Sequence, residues 1–422
     1  MNRNTIFTIL LIVFASLVFC ISCEKPEKDT RCNTEIADYL YAVEYDDYDF
    51  DACKEYFDHQ YIPSGACSEV RRGNFIGRNL DWYINRNASA IIKVNHTDEH
   101  YASIGVVGCF PQFSNEVAKT GEYNDVYKYL PFKTEDGINE CGLYVGINVM
   151  PTGETSFDTT SWQPHAYGLG VAHTNPSSHM HYAVNYLPRI LLDRASSVAE
   201  AMEIVASIDW TEPINYPHPG ETQSFHWLIC DESRSVVLEF IDNQPHYTEA
   251  SSVSEPSFGT IMTNFTNCLW KEGIMQINGI GYERFDVLRD NYNNYAEYPD
   301  NFSGMQNLMK QVWFTKTYTT PLSSPDFWYS ESASDELPAR LLYHNYEIAQ
   351  IPDAIAAIQT LNEGFNASYK FYTDECPYWF STHTSVYDIA ARKLRILVHE
   401  GRDGMKEFYE VSFDSQFAKP LK

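Results

Sequence analysis

One fragment, Cys67-Ser68-Glu69-Val70-Arg71-Arg72-Gly73-Asn74-Phe75-Ile76-Gly77-Arg78-Asn79-Leu80-Asp81, holds residue types that could do chemistry. A cysteine beside a cation ionises more readily, and the thiolate is the nucleophilic form. The pattern reads as a hairpin: a strand from Cys67, a turn over Arg71–Asn74, and a returning strand from Phe75. That arrangement would gather the Cys67 thiol, the Arg78 guanidinium and the Asp81 carboxylate. Arg78 would stabilise negative charge, and Asp81 would hold an ammonium group. Strict alternation puts positions 78 and 81 on opposite faces, so a bulge or a strand end must intervene if both serve one site. Taken alone, the fragment reads as a surface ion pair beside a buried cysteine.

Other reactive residues are scattered. His173, His179 and His181 have a spacing that a metal would accept, but no carboxylate or Cys pattern accompanies them, and a loop is the better reading. The CxxC at Cys20–Cys23 closes the apolar N-terminal stretch, and no HExxH, GxSxG or phosphate-binding loop occurs, so neither a metal nor an organic cofactor is expected. Cys109, Cys141, Cys230 and Cys268 sit in apolar runs and read as inert core thiols. Asn139, in Glu135-Asp136-Gly137-Ile138-Asn139-Glu140, reads as a turn former. Asn148 lies in a strand of small and apolar residues, where a structural role is harder to find. Asn264 could bond its own strand end, and Arg284 could be a helix-surface charge.

The elements that must position these residues come in a definite order. Strand patterns cover 88–94, 101–110 and 142–150. Helical spacing covers 186–208, with Ser196 and Ser197 as a cap. A second hairpin spans 225–242, a strand 258–265, helices begin at 281 and 353, and two strands close the chain over 381–401. Strands, then helices, then more strands indicate an α+β layered fold, not a βαβ repeat.

The chain has 422 residues, 44% of them apolar and 15% aromatic, which allows a large core. Lys and Arg total 30 against 57 Asp and Glu, a net charge of -27 that argues against nucleic acid as a partner. Residues 4–21 are almost wholly apolar and followed by polar chain, the pattern of an export signal. The small residue before Cys23 resembles a bacterial lipoprotein signal, with Cys23 lipidated and the chain anchored to a membrane, periplasmic or at the cell surface. Residues 24–66 hold 12 acidic and 4 basic residues with six Tyr, and read as a solvated tether or as a folded prosegment. A turn-rich boundary, Pro63-Ser64-Gly65-Ala66, closes this segment.

From Cys67 onward the chain resembles the choloylglycine hydrolase family, which contains bile salt hydrolases and penicillin V acylases. Gly77-Arg78-Asn79-Leu80-Asp81 resembles the family's G-R-N-x-D, and Asp136 to Leu143 resembles its D-G-x-N-E-x-G-L. Gly146-Ile147-Asn148, Thr263-Asn264, Glu283-Arg284-Phe285 and Thr384 to Asp388 follow in the family's order. The resemblance implies an N-terminal nucleophile (Ntn) hydrolase of four αββα layers, two antiparallel sheets flanked by helices, over residues 67–422. It implies autoproteolysis between Ala66 and Cys67, with Cys67 as nucleophile. The site residues would be Arg78, Asp81, Asn148 at the oxyanion, Asn264 and Arg284. The substrate would be a small-molecule N-acyl amide, cleaved at a linear carbon–nitrogen bond. Relatives often form homo-oligomers. The loop 313–331 would be a lid. An acyltransferase on the same fold, or a surface lipoprotein binding glycans or peptides through its aromatic residues, are the alternative readings.

Overall fold

The computed structural model describes residues 35–37, 40–57, 66–83, 88–110, 130–150, 180–208, 224–241, 244–268, 282–313, 379–398 and 405–417. Their strands form a nine-stranded and a six-stranded sheet. The larger contains β1 (Glu35–Ala37), β2 (Leu40–Tyr45), β5 (Ala88–Val94), β6 (Ser103–Phe110), β7 (Asp136–Asn139), β8 (Tyr144–Met150), β9 (Ser224–Cys230), β10 (Ser235–Ile241) and β11 (Gln244–Glu249), in that spatial order. All pairs are antiparallel except β2 with β5, which run parallel.

That parallel pair places part of the acidic segment inside the fold. Leu40, Ala42, Val43 and Tyr45 are buried. Glu44 among them is matched by Lys93 at 3.7 Å and by the Asn95 amide at 3.0 Å. Charge density there suggests a solvated spacer, but the alternate apolar positions of β2 decide its place. Helix α1 (Phe50–Phe57) follows, and Phe50 packs edge-on against Phe132.

The smaller sheet contains β3 (Ala66–Arg72), β4 (Phe75–Tyr83), β12 (Ile261–Met262), β13 (Trp379–Asp388), β14 (Lys393–Val398) and β15 (Tyr409–Ser412). β3 lies between β12 and β4. Arg72 pairs with Phe75, so the hairpin turn is only Gly73-Asn74, two residues shorter than the pattern suggests. Gly73 adopts φ +56°, as tight turns matching strand twist require. Arg71 and Arg72 therefore belong to β3 and are buried. Backbone carbonyls take their guanidinium groups: Glu232 and Arg234 for Arg71, Tyr292 and Pro299 for Arg72.

The two sheets face one another across a core that includes Leu40, Ile91, Ile104, Leu228 and Val237 from one sheet and Ile76, Met262, Tyr387 and Ile396 from the other. Helices α2 (Met180–Arg194) and α3 (Val198–Ser207) cover the outer face of the larger sheet, burying Leu187, Leu191 and Val205 against Val145, Trp227 and Val236. Ser197 caps α3 by accepting from the Glu200 N–H at 3.3 Å. Helices α4 (Tyr282–Asn291) and α5 (Phe302–Lys310) lie on the outer face of the smaller sheet. α5 approaches so closely that a Cβ on Gly77 would stand 2.4 Å from Met309 Cγ. The result is the α+β sandwich of four αββα layers.

Candidate active site

Cys67 is the second residue of β3, and three of its groups are held separately. Its N–H donates to Asn264 Oδ1 at 3.0 Å. Its carbonyl accepts from Arg284 Nη1 at 2.6 Å. Its sulfur accepts from Arg78 Nη2 at 3.6 Å. Alternation explains the division. Cys67 pairs with Leu80 and Glu69 with Arg78, so these four side chains share the face turned to the larger sheet. Asn79 and Asp81 turn the other way, toward the helices. Asn79 Nδ2 accordingly donates to the Met309 carbonyl of α5 at 3.0 Å.

Positions 78 and 81 do lie on opposite faces, and no bulge in the β3–β4 pair reconciles them. Asp81 instead reaches Cys67 through Arg284. Its Oδ2 accepts from Arg284 Nη1 at 3.0 Å, and its Oδ1 from Ser381 Oγ at 2.5 Å. Arg284 Nη2 also donates to Asn264 Oδ1 at 2.6 Å. Arg284 is thus a bridge among Cys67, Asp81 and Asn264, not a helix-surface charge. Asp81 stands opposite Ala66, at the start of β3, where a backbone nitrogen is reachable from either face.

Beneath the sulfur, Arg78 meets several carboxylates. Nη1 donates to Asp136 Oδ1 at 2.9 Å and Nε to Glu69 Oε1 at 3.2 Å. Asp136 Oδ2 also accepts from Ser385 Oγ at 2.8 Å and Tyr387 OH at 2.7 Å, and Glu69 Oε2 accepts from Tyr144 OH at 3.1 Å. Burial works against the Arg78 charge, but Asp136, Cys67, Glu135 and Glu69 outweigh it and keep the guanidinium protonated. Burial pushes the Cys67 thiol up to about 12; Asp81, Glu135 and Glu69 add to the rise, and Arg78 opposes it. Burial lifts Glu69 to about 8 and Asp81 to about 6, against Arg78 and Arg284 respectively. Uncleaved, the chain holds Cys67 as a thiol.

Asn148 is fully buried on β8, across from His226 of β9. Its Nδ2 donates to the Thr263 carbonyl at 3.2 Å and, at the limit of a hydrogen bond, to the Met262 carbonyl at 3.5 Å. Carbonyls only accept, so this fixes the amide orientation and leaves Oδ1 without a partner among the described residues. His226 Nε2 also donates to the Thr263 carbonyl, at 2.8 Å, and its Nδ1 lies 3.2 Å from Glu239 Oε1. Glu239 accepts the N–H groups of Asn267 at 2.7 Å and Cys268 at 2.8 Å. The segment carrying Asn264 is held at both ends. Asn139 is a turn former: its Oδ1 accepts from the Cys141 and Leu143 N–H groups, and its Nδ2 docks on the Leu192 and Ala195 carbonyls of the helical layer.

The structure therefore brings Cys67, Arg78, Asp81, Asn264 and Arg284 together, with Asn148 beside the Asn264 segment. Motif reading missed Glu69, Glu135, Tyr144 and Ser381, and gave no role to Ser385 and Tyr387 within the Thr384–Asp388 motif. For Glu69, Tyr144, Ser385 and Tyr387 the signal was polar groups at inward strand positions among apolar neighbours. Cys23, the histidines at 173 and 179, the helix near 353 and the loop beyond Trp313 lie outside the described residues, as does the Cys109 side chain.

A scan against protein-family models and a search of curated proteins find no match. The class comes from the chain's own geometry: an α+β sandwich of two facing sheets between helices, with a buried cysteine near the start of a central strand. Solved structures similar to this chain include two mutant forms of conjugated bile acid hydrolase from Clostridium perfringens. One is 13% identical with a TM-score of 0.38, over 85% of this chain and 97% of that one; the other is 14% identical with a TM-score of 0.37, over 84% and 97%. The penicillin V acylase of Agrobacterium tumefaciens is 13% identical with a TM-score of 0.33, over 82% of this chain and 86% of that one. At such scores these likenesses carry no argument about activity.

Proposed function

We propose that the chain is an exported cysteine amidohydrolase of the choloylglycine hydrolase kind, freed by its own cleavage between Ala66 and Cys67. The observation that carries this reading is the convergence of Arg78, Asn264 and Arg284 on the sulfur, N–H and carbonyl of one residue, Cys67. In processing, the thiol attacks the Ala66 carbonyl, the acyl group passes from nitrogen to sulfur, and water opens the thioester. The freed α-amine, with a pKa of about 8, is a usable base near neutrality beside its own thiol. Asn264 Oδ1 accepts from it, and Asp81, tied through Arg284, offsets its charge.

In turnover the α-amine takes the thiol proton and Cys67 attacks the carbonyl of an N-acyl amide. The proton passes to the leaving amine, and water hydrolyses the acyl-enzyme. Asn148 supplies a donor to the oxyanion by giving up its long contact to the Met262 carbonyl; losing one such donor costs about 3–4 kcal/mol of barrier. Residues 1–22 are the export signal, Cys23 the lipid anchor, and 23–66 the tether and prosegment. To test the reading, processed protein is incubated with N-acyl amino acids, N-acylethanolamines, bile-salt conjugates and penicillin V. Amine release from at least one of them, abolished by Cys67→Ala, is expected. Release that survives Cys67→Ala would overturn it.

A further inference from the structure

Arg78 faces more negative groups than one cation balances, and they are not equivalent. Glu69 takes Nε and Asp136 takes Nη1, both carboxylates being 0% exposed, and neither nitrogen is the one on the sulfur. Nη2 is contested. It donates to the Ile147 carbonyl at 3.0 Å, and lies 3.6 Å from Cys67 Sγ and 3.7 Å from Glu135 Oε2. Two hydrogens on that nitrogen face three acceptors, one of them fixed backbone. Among the described residues Glu135 has little else to hold it: its Oε2 accepts from the Gly108 N–H at a long 3.3 Å. Its side chain is 18% exposed, so among the three carboxylates on Arg78 it is the one open to solvent protons.

We propose that Glu135 is a positioning residue for Cys67: when ionised it competes with the sulfur for Arg78 Nη2 and adds like charge beside it. The thiol then ionises most easily while Glu135 carries a proton. This rests on the reading of Cys67 as nucleophile. The groups around Glu135 are Arg78 from β4, Cys67 from β3, Asp136 from β7, the Gly108 N–H from β6 and Lys133 from the 3-10 turn Leu130–Lys133. From β13, His383 flanks the same glycine: a Cβ on Gly108 would stand 3.0 Å from His383 Cε1 and 3.1 Å from Glu135 Oε2. Burial pushes Glu135 up to about 7 against Arg78, and burial pulls Lys133 down to about 7 against Glu135. As pH rises through neutrality a negative charge appears and a positive one fades. The negative charge on Glu135 opposes the thiolate.

The test reads the thiol and needs no amide substrate. Purified protein is treated with iodoacetamide across a pH series, and alkylation of Cys67 is followed by peptide mass spectrometry. In Glu135→Gln the midpoint of the alkylation rate should fall by about one pH unit, the scale of a neighbouring like charge. Glu135→Met, similar in length and also uncharged, should move it the same way. Unshifted midpoints in the variants would overturn the proposal. If amide release depends on Cys67 while the midpoint stays fixed, only the role of Glu135 falls. If the midpoint shifts but no amide is cleaved, the hydrolase reading falls instead.

Discussion

Burial dominates the chemistry of Cys67, because removing a sulfur from water disfavours its charged form more than one nearby guanidinium favours it. Arg78 is a structural ion first: replacing it with Leu leaves Asp136 buried without its ion-pair partner and Glu69 without its Nε donor. Arg78→Leu should lower unfolding free energy by about 3–5 kcal/mol in a denaturant titration; a loss under about 1 kcal/mol would show that the carboxylates find other partners. Glu69 gives a pH signature. Its pKa is raised from 4.5 to about 8, so the folded chain keeps a proton that the unfolded chain releases. The stability from that proton is full below the unfolded value and is lost as pH rises through the folded one. In Glu69→Gln this loss is absent, so its melting temperature relative to wild type should climb steadily between pH 4.5 and 8; a flat difference would contradict the assignment. Cys67, Arg78 and Asp81 were legible because their types and spacing are local. Glu69 and Glu135 were not, since a carboxylate's role depends on strands that meet it from elsewhere in the chain.

Element by element, the site depends on two devices that hold strands in register. The Gly73-Asn74 turn sets Glu69 opposite Arg78. With φ at +56°, Gly73→Val should cost about 1–2 kcal/mol of stability, measured by chemical denaturation. The second device is the pair His226 and Glu239, which clamps residues 263–268. His226→Phe removes the shorter of the two hydrogen bonds on the Thr263 carbonyl, leaving that from Asn148, and loosens Asn264. Amide release should then fall at least tenfold in kcat, roughly the effect of misplacing a group by a fraction of an ångström, with less change in KM. A kcat loss matched by an equal loss of folded protein, read by circular dichroism, would argue for general unfolding instead. Alternating strands such as β5, β8 and β10 were readable from sequence because periodicity is local. β2 was not, because its partner β5 lies more than forty residues downstream and its acids mask its apolar positions. The hairpin turn was read too long because buried arginines satisfied by carbonyls look like exposed ones.

The whole molecule constrains what cleavage can release. β2 is paired along its length with β5, and its apolar side chains are in the core. After scission at Ala66–Cys67 the N-terminal fragment should therefore stay bound, appearing as two polypeptides on a denaturing gel and one species on gel filtration. A fragment that separates without denaturant would contradict that packing. An α+β layered fold was legible from element order, and its four layers only through the family resemblance, because the facing of the two sheets rests on contacts between distant strands.

The central claim is that Cys67 becomes both chain start and nucleophile. Its most direct test is the denatured mass of purified protein, wild type beside Cys67→Ala. The wild type should yield a chain beginning at Cys67 and the variant should remain joined at Ala66. A fully active wild-type protein whose chain still carries Ala66 ahead of Cys67 would contradict the account.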